Sequence, residues 1–149
     1  MNIRRIKEDV RKIALNLRNR EVLAVGLFGS LVRGNFNEKS DIDIFIITNN
    51  ELTIKEQDEL YYTFSELIPK FKRDITVLVY DIESLKKVPS WQTLNLIRDA
   101  CFVYDPERIK EAFKMILEKA EQSGIIYDSK ERVFKAKKPK PGRTVFSLK

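Results

Sequence analysis

Two aspartates two positions apart, Asp41 and Asp43, open the run Asp41-Ile-Asp-Ile-Phe-Ile-Ile47. In an extended strand their side chains leave one face with Cα atoms about 6.5–7 Å apart. A third, Asp74, opens a second run of β-formers, Asp74-Ile-Thr-Val-Leu-Val-Tyr80. If the two strands lie side by side, three carboxylates converge. Like charges at that range are relieved by proton uptake or by a divalent cation. Hard oxygen donors in this number suit Mg²⁺ or Mn²⁺, and two such ions about 3.5–4 Å apart are the usual arrangement for phosphoryl and nucleotidyl transfer. Upstream, Gly29-Ser30 ends an apolar run. A helical turn starting there would leave backbone N–H groups and a hydroxyl to cradle phosphate oxygens, and Arg33, one turn on, could add a charge-assisted contact. Anion cradle and cation ligands thus stand at opposite ends of one short segment, and a metal-bound nucleoside triphosphate would fit between them.

Each of these residues also has a plainer reading. Gly29-Ser30 alone would be an ordinary turn with a helix cap, and Asp41 a strand-entry residue. Asp74, following Lys72-Arg73, could be half of a surface ion pair, and Arg33 a solvated helix charge. Asp43 is harder to dismiss, because a carboxylate among Ile42, Ile44 and Phe45 needs solvent or a cation to receive it.

Composition narrows the chemistry further. The chain has 149 residues, 43% hydrophobic and 34% charged, enough for one domain with a core. It contains no histidine, which excludes Ser-His-Asp hydrolases, Cys-His proteases and most zinc enzymes. The single cysteine, Cys101, cannot form an internal disulfide and reads as a small core hydrophobe. The N-terminal residues lack a signal-peptide apolar stretch and no run approaches a membrane span, so a cytoplasmic protein without membrane contact is expected. The net charge of +6 lies wholly in residues 125–149, where eight Lys/Arg face two Asp/Glu. That stretch, with two prolines and a glycine after Lys138, is expected to be a loosely ordered basic arm following a domain of residues 1–124. Its interleaved Phe134 and Phe146 could contact RNA, DNA or an acidic protein, although a solvated tail is the commoner case.

The elements that must position the aspartates follow from hydrophobic period. Ile3, Ile6, Val10, Ile13, Ala14 and Leu17 form one helical stripe; Val22 to Phe28 is a buried strand. Thr53-Ile-Lys-Glu56 fits a capping box and starts a helix running to Pro69 through Leu60, Tyr61, Phe64 and Leu67. A further helix is expected from Ser90 to Asp99. Another follows, with Asp105 as N-cap, Pro106 as first residue and Gly124 near its end. Tyr61, Tyr62, Phe64 and Phe113 fall at helical spacing and are expected in the core. Together these elements give an α/β (α+β) fold, a small mixed sheet backed by helices.

The segment Phe28-Gly-Ser-Leu-Val-Arg-Gly-Asn-Phe-Asn-Glu-Lys-Ser-Asp-Ile-Asp-Ile44 resembles the signature of the DNA polymerase β-like nucleotidyltransferase superfamily: Gly-Ser, ten residues, then Asp-x-Asp. Gly29-Ser30-x-x-Arg33-Gly34 with Ser40-Asp41-x-Asp43 is most similar to the minimal nucleotidyltransferases, small prokaryotic proteins of which some pair with helical partners as toxin-antitoxin systems. The tight match covers residues 28–47, within a core ending near Tyr80. This resemblance implies the nucleotidyltransferase fold, with two Mg²⁺ (Mn²⁺ as substitute) on Asp41 and Asp43. It further implies Asp74 as third carboxylate and a triphosphate held by Gly29, Ser30, Arg33 and Ser40. The implied reaction moves AMP from ATP to a hydroxyl of an acceptor, a partner protein or RNA, and releases pyrophosphate. The alternative is a catalytically silent protein of the same fold acting as a binding protein or antitoxin. An aminoglycoside-like acceptor, or the CCA-adding and poly(A) reactions, would need a second domain for which little chain remains after Tyr80.

Overall fold

A computed structural model of the protein describes residues 3–87, 90–128, 130–131 and 133–136. The chain begins with α1 (Ile3–Leu15), whose buried residues Ile6, Val10, Ile13 and Ala14 are the apolar stripe of the sequence. Then come β1 (Val22–Phe28), the one-turn α2 (Ser30–Arg33), and β2 (Ile42–Thr48). Helix α3 (Ile54–Phe64) starts on the expected capping box, Thr53 Oγ1 accepting from Glu56 N–H while Glu56 reaches back to Thr53 N–H. It stops at Phe64, short of Pro69. A separate turn of helix, α4 (Leu67–Phe71), takes in Pro69 in its first turn, where a missing N–H removes no helical bond.

Strand β3 (Ile75–Asp81) leads directly into α5 (Ile82–Lys87), followed by α6 (Trp91–Asp99), β4 (Cys101–Tyr104) and α7 (Ile109–Gln122). The N-cap of α7 is Arg108 at φ 56° and not Asp105, although the Asp105 carboxylate still accepts from Ile109 and Lys110 N–H, and Pro106 lies in the preceding turn outside the helix. Residues 125–136, the start of the expected arm, include β5 (Ile125–Asp128) and β6 (Val133–Ala136), paired antiparallel. Ile125 is 3% exposed, and it and Phe134 join the core. The rest of the basic stretch, 137–149, lies outside the described residues.

The four-stranded sheet runs β3-β2-β1-β4, antiparallel except for the parallel β2–β3 pair that α3 and α4 connect. Alternation sends Ile42, Ile44, Ile46, Val25, Leu27 and Ile75 to a core shared with α1 and α3. Ala24, Phe45 and Ile47 go to a second core shared with α6 and α7, where Phe45, Phe102 and Phe113 pack ring to ring at 5.0–5.9 Å. Gly26 keeps this tight: a Cβ there would lie 2.3 Å from the Phe45 ring. Phe64 and Phe113 are buried as expected, but Tyr61 and Tyr62 are 40% and 78% exposed, on the outer side of α3. No helix among the described residues is long and apolar enough to cross a membrane.

Candidate active site

Asp43 shares the strand parity of Phe45 and Ile47, so its side chain emerges on the α6 side of the sheet. Register fixes its neighbours: Phe28 of β1 on one side, Thr76 of β3 on the other. One residue past Phe28, Gly29 holds φ 74° and ψ −151°, and a Cβ there would lie 2.1 Å from Asp43 Oδ2. The glycine therefore lets the turn into α2 lie directly against the carboxylate. The first N–H groups of α2 have no carbonyl one turn back to bond within the helix, and Gly34, in the left-handed conformation, ends it after a single turn.

Asp41 precedes β2 and stands close enough to raise the affinity of Asp43 for its proton. The Asp43 carboxyl is raised from its ordinary value by burial first and by the Asp41 charge second, with the Thr76 hydroxyl and Arg33 pulling it back. Thr76 Oγ1 donates to Asp41 Oδ2 at 3.2 Å, and its residue stands opposite Asp43 in the β2–β3 ladder. Two carboxylates and one hydroxyl thus meet, a set of hard oxygen donors short of positive charge, and this fits a divalent cation.

Asp74 is brought to the neighbouring strand's entrance but not into this group. Its carbonyl accepts from Ile42 N–H at 2.9 Å, while the residue is exposed and lies before Ile75, the first paired residue of β3, where strand alternation no longer directs the side chain. Among the described residues no three acidic or cysteine side chains gather closely enough to hold a metal ion.

The loop from Asn35 to Ser40 is shaped by its own polar residues. Ser40 Oγ accepts from Asn37 N–H at 3.0 Å, so its hydroxyl is engaged in this turn. Arg73 braces the loop from the segment between α4 and β3, donating to the Asn37 and Ser40 carbonyls with its guanidinium 4.4 Å from the Phe36 ring centre. Arg33 points from α2 across to α6, where it pairs with Asp99 at 3.3 Å.

Between them opens a cleft of about 260 Å³ with Gly29, Arg33 and Asp43 on one wall, Phe28 and Leu78 at its apolar side, and Gln92, Asn95 and Asp99 of α6 opposite. Positions 92, 95 and 99 share one helical face. Sequence reading missed this wall and Thr76; the spacing 92-95-99 of polar residues was visible, but nothing in the sequence says which helix covers the site. A larger hollow of about 360 Å³, lined by Lys86, Arg108, Met115 and Lys119, holds none of the motif residues.

A family model described as "Polymerase beta, Nucleotidyltransferase" matches residues 11–95. The chain is 30% identical over 78 residues to a Methanocaldococcus jannaschii protein named "Putative protein adenylyltransferase MJ0141", covering 52% of this chain and 75% of that one. Its fold is similar to a chain of a toxin-antitoxin crystal structure with AMP-PNP (TM-score 0.54, 20% identity, 82% and 88% of the two chains covered). It is likewise similar to a chain of a tri-AMPylated Shewanella oneidensis HEPN toxin in complex with MNT antitoxin (TM-score 0.53, 18% identity, 81% and 87% covered).

Proposed function

Because the chain belongs to the polymerase β-type nucleotidyltransferase family and is by class a transferase, we propose that it transfers AMP from ATP to a hydroxyl group of a partner protein, releasing pyrophosphate. The observation that carries this reading is the contact of Gly29 with Asp43, where the turn into α2 lies directly against a half-buried carboxylate. The acceptor class is supported by the name of the archaeal relative and by the AMPylated toxin of the structural neighbour.

In this reading the main-chain N–H groups at Gly29 and Ser30 receive the triphosphate oxygens, and Arg33 turns from Asp99 to the same anion. Asp41 and Asp43 would hold the divalent cation, Mg²⁺ or Mn²⁺, which supplies charge neutralisation along the triphosphate. Phe28 and Leu78 offer an apolar wall, and the amides of Gln92 and Asn95 offer donors and acceptors to the nucleotide. The acceptor oxygen attacks the α-phosphorus in line, the bond from that phosphorus to the bridging oxygen breaks, pyrophosphate departs, and the hydroxyl proton is released. Catalysis comes chiefly from positioning and electrostatics.

Incubation with α-labelled ATP, Mg²⁺ and candidate acceptors from the native host tests this directly. Transfer of label to protein by the wild type and its loss in a folded Asp43→Asn variant are expected. Nucleotide binding with no transfer to any acceptor would reduce the protein to a nucleotide-holding module.

A further inference from the structure

The parallel register of β2 and β3 sets Thr76, and not an acidic residue, beside Asp43. Its hydroxyl donates to Asp41 Oδ2 at 3.2 Å. A hydroxyl has one proton to donate, so it serves one carboxylate at a time and links the pair through a shared position. We infer that Thr76 is the third donor of the cation site, a neutral positioning residue between Asp41 and Asp43, and that the chain consequently holds one divalent cation firmly in place of two.

Charge supports the count. Two carboxylates match one dication, and Arg33 close by already offsets part of the charge on Asp43. A second ion a few ångströms away would need another anionic ligand from the protein. Asp74 is exposed and does not enter the cluster, and among the described residues no third acidic side chain takes its place. Affinity of oxygen-donor sites rises steeply with the number of charged ligands, so the neutral residue at position 76 sets how many ions stay.

The inference rests on the nucleotidyltransferase reading for the nucleotide but not for the donor set, and two titrations keep them apart. Mn²⁺ alone, followed by electron paramagnetic resonance, reports the donor set. Thr76→Asp should tighten Mn²⁺ by about tenfold or more, Thr76→Val should weaken it several-fold, Thr76→Ser should restore it, and Asp74→Asn should match the wild type. The same titration with a nonhydrolysable ATP analogue should give one tightly held Mn²⁺ per wild-type chain and two for Thr76→Asp. Two equally tight ions in the wild type, or a loss in Asp74→Asn matching that in Asp43→Asn, overturns the inference while leaving nucleotidyl transfer intact. The expected Mn²⁺ series with no nucleotide bound by any variant supports the inference and removes the transfer reading instead.

Discussion

At Gly29 the backbone adopts a conformation that only glycine occupies without strain, and the missing Cβ is what lets Asp43 approach. Gly29→Ala should lower stability by about 1–3 kcal/mol in urea unfolding and abolish transfer even where the variant is folded. Asp43 is set against the fold in the opposite sense. Its folded-state pKa is raised, so between its unfolded value and that higher value the native state holds more protons, and stability falls as pH rises through this window. In metal-free buffer Asp43→Asn should therefore melt at a higher temperature than the wild type at neutral pH. The advantage should vanish below the ordinary carboxylate pKa. Calorimetry across pH checks the sign, and no advantage at neutral pH would contradict the unfavourable placement of that charge. The placement of Gly29-Ser30 at the end of one strand and of the aspartate pair at the start of the next was legible from the sequence. Thr76 was not, because a threonine in a β-run is ordinary and becomes informative only once register places it beside a carboxylate.

Among the elements, α6 does most to turn an exposed strand end into a cleft. Its face carries Gln92, Asn95 and Asp99 toward Gly29 and Asp43, and Asp99 holds Arg33 away from any incoming anion. The pair is partly exposed, so it is worth about 1 kcal/mol at most. Asp99→Asn should free Arg33 and tighten ATP by no more than about fivefold, read by calorimetric titration. Asn95→Ala, by contrast, should weaken ATP without changing Mn²⁺ binding. Where local signals were strong, the elements were readable: the Thr53/Glu56 capping box, the helix expected from Ser90 to Asp99, and the apolar stripe of α1. Helix α5 was not foreseen, since six residues are too few for a period to register, and its start depends on Asp81 accepting from Ser84 N–H. Tyr61 and Tyr62 matched helical spacing but belong to the outer face of α3; periodicity shows which residues align, not which side the sheet takes.

On the scale of the molecule, one sheet separates two cores, and the site lies at the end of that sheet where β1 leaves and β2 and β3 enter. The hairpin β5–β6 closes the α6/α7 side: Ile125 is buried, Tyr127 packs on Phe134 at 5.1 Å, and Arg98 of α6 lies 4.9 Å from the Tyr127 ring centre. Basic composition hid this in the sequence, because charge was read where Ile125 and Phe134 join the core. Ile125→Ala should destabilise the protein by about 2–5 kcal/mol in urea unfolding, which a freely solvated arm would not do.

The ladder between β1 and β2 is irregular only at its far end, between Val22 and Ala24, and runs in unbroken step from Ala24 to Phe28. The strand thus has one end that already accommodates an extra residue and one that cannot, since beside Phe28 each added residue would swap which side chains face the cleft. Length variation within β1 should be confined to the Glu21–Leu23 border, and the distance along the chain from Leu27 to Gly29 should admit no insertion or deletion at all.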